Sequence, residues 1–256
     1  MTYPFTSALI TGASSGIGEA MVHELGGSGV EMVLVARRRE ALEALAEQYS
    51  KCEVLVADLT TEQGLAAVAE RIGDVDRPID LVVNNAGFGS AGAFVGIDAD
   101  RLDDEIALNI AALTRLSHAA LTAMMPRRRG WLLNVSSIAG FQASPGLAVY
   151  AATKAYVTSL SESLHAEAAS AGVVVTALCP GLTRTGFQEV SGTEHFVDRF
   201  PDFVWTSAEQ VARDGLAAVA KAKTVAVPGA VYKGIVAATG VTPRPVVRWL
   251  SGRLGR

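Results

Sequence analysis

Several things are scarce in this chain. Cysteine appears twice, as Cys52 and Cys179, each inside an apolar run, so a disulfide framework is excluded and inert buried thiols in a reducing compartment are expected. Histidine appears four times and never at metal-ligand spacing, so no metal site is expected. An excess of positive charge is missing too: 22 basic residues against 26 acidic ones leave a formal charge of −4, and no global attraction to nucleic acid follows. No stretch reaches the roughly 18 uncharged apolar residues that span a bilayer. The opening MTYPFTSALITG lacks a basic segment followed by an apolar run and a cleavage site, so the default expectation is a cytoplasmic protein. Pro/Ser-rich joints, low-complexity tracts and internal repeats are also wanting, which favours one domain over residues 1–256.

What is present is apolar surface. Half of the residues are hydrophobic and 19% are charged, and the mean hydropathy is +0.30, values of a chain with a large core. Short apolar runs alternate with helical patterns: SALIT, then GEAMVHELGGSG; EMVLVA, then REALEALAEQYS; CEVLVAD, then TTEQGLAAVAERIG; DLVVNN, then a long helical stretch. WLLNVS (131–136), a helix around Ala148–Ser170, VVVTALC (173–179), a helix near Ala208–Ala222 and TVAV (224–227) continue the rhythm. Strands spaced by helices pair in parallel through right-handed crossovers. The expected fold is α/β, a doubly wound parallel sheet of about seven strands with helices on both faces.

Two segments break the rhythm. Residues 182–205 form a long connection, and such loops carry function. The tail, 242–256, has four arginines and no acid; docking on a partner subunit, peripheral contact with a membrane surface and plain solvation all remain open for it.

Strand one runs straight into TGASSGIG, Thr11–Gly18. Gly12, Gly16 and Gly18, with Ser14, Ser15 and Ile17 between them, make a tight strand-to-helix turn whose free N–H groups and helix dipole suit a dinucleotide pyrophosphate. The spacing is GxxxGxG instead of the commoner GxGxxG. The second strand ends in LVARRREAL. Where an acidic residue would select the 2′-hydroxyl of NAD, Arg37 and Arg38 stand ready for the 2′-phosphate of NADP. Arg39 is expected to pair with Glu43 on the helix surface.

Four further pieces follow in order: NNAG at 84–87, Asn109 in ALNIAAL, Ser137 in NVSSIAG, and Tyr150 with Lys154 in YAATK. Together with the glycine turn they resemble the short-chain dehydrogenase/reductase family in its single-domain, NADP-preferring branch, over nearly the whole chain. Carbonyl reduction needs a hydride donor and a proton donor at the oxygen. Tyr150 can give the proton, and Lys154, one turn on, is expected to draw its phenol down towards working pH. Ser137 would orient the substrate oxygen; its neighbour Ser136 points to the other face of the strand. The resemblance implies that Lys154 also holds the nicotinamide ribose and that Asn109 binds a water in a proton relay, although Asn109 could be purely structural.

It implies further that Asp58 and Leu59 touch the adenine, that Asn85, Ala86 and Gly87 line the cofactor, and that Pro180, Gly181, Thr183 and Thr185 wall the nicotinamide. An Asp at this place after a strand is also an ordinary turn residue. The 182–205 segment would be the substrate lid. Its Phe187, Phe196, Phe200, Phe203 and Trp205 suggest an apolar substrate or packing on the core, while His195 reads as solvated. Ser207 and Gln210 form a capping-box pattern where the next helix begins. The small residues on the helices around Asn109 and Tyr150 suit a homodimer or homotetramer. The expectation is therefore an NADP(H)-dependent oxidoreductase acting on a carbonyl or secondary alcohol, with a non-catalytic NADP(H)-binding sensor or scaffold as the alternative.

Overall fold

The computed structural model describes residues 2–193 and 200–242. His195, Phe196 and the arginine-rich tail beyond Thr242 lie outside the described residues. Seven strands form one parallel sheet: β1 (Ser7–Thr11), β2 (Glu31–Ala36), β3 (Cys52–Val56), β4 (Leu81–Asn84), β5 (Gly130–Val135), β6 (Val173–Leu178) and, after two short strands outside the sheet, β9 (Val225–Ala226). Their order is β3-β2-β1-β4-β5-β6-β9, so the winding reverses between β1 and β4.

Each strand is a run of apolar residues because both of its faces are covered. Along β1, Ala8 and Ile10 enter one core cluster while Leu9 enters the other. Met32 and Leu34 alternate with Val33 and Val35 in the same way on β2. The first layer is closed by α1 (Gly16–Gly26), α2 (Arg39–Ala46) and α8 (Ala208–Ala220), through Met21, Leu25, Leu42, Val211 and Leu216. The second is closed by α3 (Glu62–Gly73) and α5 (Leu113–Met124), through Val68, Ile72, Leu116, Ala120 and Met124. Each of the Val, Leu, Ile and Met side chains among them contributes about 1.5–3 kcal/mol by leaving water.

The expected long helical stretch after β4 is continuous but not uniform. It runs as α4 (Ala99–Ile106), a π-helical stretch at Ala107–Ala112, and α5. Ala99–Met124 is long and apolar enough to cross a membrane by length and composition, yet here Leu113, Leu116 and Met124 are buried. Next comes α6 (Ala148–Ala168), at the expected place.

The 182–205 segment carries more structure than a plain connection. β7 (Thr183–Arg184) pairs in parallel with β8 (Thr206–Ser207), and α7 (Phe187–Ser191) lies between them. A further helix, α9 (Ala230–Val241), follows β9. The capping box forms by half. Ser207 Oγ accepts from the Gln210 N–H at 3.2 Å, but the Gln210 amide turns away to Asp214 at 2.8 Å, a partner one turn along its own helix.

Candidate active site

The glycine turn sits at the carboxyl end of β1, beside the reversal of strand order, where open α/β sheets bind ligands. Gly12 has φ +65°, and a Cβ there would stand 2.8 Å from Asn85 Nδ2, while one on Gly18 would stand 2.3 Å from the Gly12 oxygen. No other residue fits this crossing. Thr11 locks it: its hydroxyl accepts from the N–H groups of Asn85 and Ala86, both at 3.0 Å, and donates to Val83 O at 3.2 Å. Asn85 Nδ2 returns a bond to Thr11 O at 2.9 Å. The NNAG turn and the glycine turn are thus one unit.

Arg38 folds back over that unit, donating to Ser14 O at 2.8 Å and Ser14 Oγ at 3.1 Å. Arg37 is exposed beside Asp58. Burial alone would raise the Asp58 carboxyl, but hydrogen bonds from Thr60 N–H and Oγ1 and the Arg37 charge outweigh it and hold it below the usual carboxylate range. Leu59 packs its side chain into the core, leaving only its backbone for a ligand. Arg39 pairs with Glu43 at 3.2 Å on the surface, as expected. Ser15, at the N-cap of α1, makes no side-chain capping bond. With Gly16 and Ile17 it presents helix-terminal backbone N–H groups close to the Arg38 guanidinium, which fits a dinucleotide pyrophosphate.

Ser137 follows the end of β5. Its hydroxyl accepts from Ala139 N–H at 3.2 Å and faces Tyr150, favouring the ionised phenol. Ser136 points the other way and is consumed by Lys154 O and Thr158 Oγ1, each at 2.7 Å, so Ser137 is the serine that meets the tyrosine. Lys154 is buried, donates to Val135 O at 2.9 Å, and holds its Nζ 5.7 Å from the Tyr150 ring centre.

Burial works against the expected lowering of the phenol by Lys154. Burial is the larger effect on both groups: Tyr150 is pushed up to about 12, with Ser137 opposing and Glu105 and Cys179 adding, and Lys154 is pushed down to about 8.

Asn109 lies in the π-helical stretch, buried. Its Nδ2 donates to Phe88 O at 2.8 Å and Thr153 Oγ1 at 3.2 Å, and its Oδ1 accepts from Phe88 N–H at 3.2 Å. The side chain therefore braces the 87–88 turn against α6. Gly87 leaves no room there for a side chain beside Asn109 and Lys154.

Pro180 O accepts from Ile138 N–H at 3.0 Å, tying the ends of β5 and β6. The Thr183 hydroxyl donates to Gly181 O at 3.0 Å, and the Thr185 side chain lies against Gly16, bringing this segment over the glycine turn. Of the described aromatics in 182–205, Phe187 reaches the site, its ring centre 5.3 Å from that of Tyr150. Phe200 and Phe203 are exposed, and Trp205 stacks under Arg184.

Three residues at the site escape a sequence reading. Arg101 donates to Gly89 O at 3.1 Å and sits 5.1 Å over the Phe88 ring. Glu105 is fully buried. Tyr232, on α9, accepts from Leu182 N–H at 3.0 Å and donates to Val204 O at 2.6 Å. The spacing of 101, 105 and 109, four apart on one helical face, is the signal that could have exposed the first two.

Known proteins resemble this chain. The family described as short chain dehydrogenase matches residues 6–195, and the chain belongs to it. Oxidoreductase UcpA of Escherichia coli K12 is 36% identical over 188 residues, covering 72% of this chain and 71% of that protein. An uncharacterized oxidoreductase of Staphylococcus epidermidis is 34% identical over 183 residues, covering 71% and 80%. Among solved structures, a short-chain dehydrogenase from Sphingobium yanoikuyae in complex with NADPH superposes with a TM-score of 0.83 at 33% identity, covering 91% of this chain and 93% of that one. A bulky-bulky ketone specific alcohol dehydrogenase from Comamonas testosteroni gives 0.78 at 31%, covering 92% of each. The chain is an oxidoreductase of a family that works with NAD or NADP on small molecules.

Proposed function

We propose that this protein is an NADP(H)-dependent carbonyl reductase or alcohol dehydrogenase acting on apolar ketones, aldehydes or secondary alcohols. The observation that carries this reading is the meeting of the Ser137 and Tyr150 hydroxyls at the carboxyl end of β5, beside the glycine turn and over the Lys154 amine. When bound, the nicotinamide supplies the hydride. Ser137 donates a hydrogen bond to the substrate oxygen, and Tyr150 delivers the proton there as negative charge builds. Lys154, anchored on Val135 O, orients the ribose. Asn109 holds the turn that lines the cofactor.

Arg37 and Arg38 support NADP(H) over NAD(H). No acid stands at the end of β2, and the Arg38 guanidinium already reaches Ser14 of the glycine turn. The Sphingobium relative is described in complex with NADPH. Phe187 against Tyr150 supports an apolar substrate, as does the Comamonas relative's description as specific for bulky-bulky ketones. Exposed Ile106 and Tyr156, on α4 and α6, support homo-oligomeric packing of the long helices.

The test is oxidation of NADPH and of NADH against a panel of bulky apolar ketones and small polar aldehydes. The expected result is a higher kcat/KM with NADPH and with bulky ketones. Turnover confined to NADH or to polar substrates contradicts it. Tight NADPH binding with no turnover across the panel would favour the sensor reading.

A further inference from the structure

Glu105 has no task in the reaction above, yet it is placed at its centre. It lies in the last turn of α4, with no solvent exposure. Neither carboxyl oxygen makes a hydrogen bond of full geometry, and the Ser90 hydroxyl and N–H beside it favour its charged form only in part. An ionised carboxyl so placed costs several kcal/mol unless an opposite charge compensates. The cations that favour its ionised form are Arg101, the stronger, from its own helix, and Lys154 from α6, with the Tyr150 phenol also on α6. The Arg101 guanidinium is drawn away to the carbonyls of Gly89 and Val190.

Lys154 has the complementary problem. Its amine is buried with one carbonyl partner, Val135 O. The titratable groups that favour its charged form are the Cys179 thiol, at the end of β6, and the Glu105 carboxyl. α4 packs against α6, and the buried Glu105 carboxyl and Lys154 amine, neither in a direct ion pair, each favour the charged form of the other.

We propose that Glu105 is the buried counter-charge of Lys154, a positioning residue that keeps the amine in its ammonium form beside Tyr150. One proton moves in forming this state, from the Glu105 carboxyl to the Lys154 amine, and no other group is consumed. Burial raises Glu105 and lowers Lys154, and each charge offsets that effect on the other. Neutralising Glu105 removes the stabilisation of the ammonium and the repulsion on the Tyr150 phenolate together, so both groups lose their protons at lower pH. The importance of this for turnover rests on the function proposed above.

The experiment reads the lysine itself. The chain has five lysines, few enough for the ε-carbon signals of ¹³C-lysine protein to be resolved by NMR, with Lys154→Met assigning the one of interest. The Lys154 signal is expected to titrate at lower pH in Glu105→Gln than in the native protein, and Glu105→Asp, which keeps a charge on a shorter stem, is expected to fall between. In the native protein a second, acidic inflection of the same signal should mark Glu105. The alkaline limb of the reductive kcat/KM profile should move to lower pH in Glu105→Gln. Superimposable lysine titrations in native protein and Glu105→Gln would overturn the proposal. So would a single inflection in the native protein, which needs no variant to fold. Activity in Tyr150→Phe tests the enzymatic reading separately, so the failure of one is distinguishable from the failure of the other.

Discussion

Lys154 donates to the carbonyl oxygen of Val135 at 2.9 Å, so the amine is pinned to the last residue of β5. Its folded value, about 8, lies below its ordinary 10.5. Below about pH 8 the cost of burying the charge is present in full; between about 8 and 10.5 the unfolded chain alone holds the proton, and stability rises with pH. Tyr150, raised from 10 to about 12, acts oppositely: its contribution is present below 10 and lost as pH climbs through 12. Lys154→Met should abolish the rise in melting temperature over the first window. At neutral pH its turnover should collapse. Thermal melts across this pH range check the first expectation and steady-state kinetics the second.

Arg38 holds Ser14 through its backbone oxygen and its hydroxyl. Arg38→Ala should lower kcat/KM with NADPH by roughly 10- to 100-fold, the loss of a charge-assisted contact, and with NADH by only a few-fold. Steady-state kinetics with both cofactors measure the ratio. Equal losses would mean that the arginine merely shapes the turn.

Tyr232 joins both ends of the 182–205 segment, at Leu182 and Val204, and its ring fills the space beside Gly181 where a Cβ would lie 2.2 Å away. Tyr232→Phe keeps the packing and removes both hydrogen bonds. It should cost about 1–3 kcal/mol, raise KM more than it lowers kcat, and speed proteolytic cleavage between Leu182 and Val204.

Asp80 accepts from Thr6 N–H and Oγ1 at 3.0 Å and from Arg129 Nη2 at 3.0 Å. Burial would raise this carboxyl, but these bonds hold it below the usual range. Its stabilisation is present above the ordinary carboxylate range and is lost as pH falls through the lowered folded value. Asp80→Asn leaves Arg127 and Arg129 without their carboxylate and should cost about 3 kcal/mol in urea unfolding. The deficit should narrow in acid.

Much of this was legible in the sequence because its signals are local. The strands are apolar runs bounded by turn residues. The glycine turn joins β1 directly to α1, and Tyr150 and Lys154 share one helical turn. What was hidden lies far along the chain or depends on burial. The return of Arg38 onto Ser14, and of Tyr232 onto Leu182 and Val204, needs the sheet to bring distant segments together. Glu105 stands in RLDDEIALN, where the neighbouring acids are exposed, and nothing local separates the buried one from them. The rise of Tyr150 to about 12 likewise comes from the groups that distant segments pack around the phenol, which no spacing of Tyr and Lys encodes.

The central claim is that Tyr150 delivers the proton to a substrate oxygen. Its most direct test is NADPH oxidation with a bulky apolar ketone by native protein and Tyr150→Phe, with NADPH affinity measured alongside by fluorescence. Turnover in the variant should fall by about 10²–10⁴-fold, the contribution of a positioned general acid, with NADPH affinity changed by no more than a few-fold. Turnover that survives in Tyr150→Phe at near-native rate would contradict the assignment.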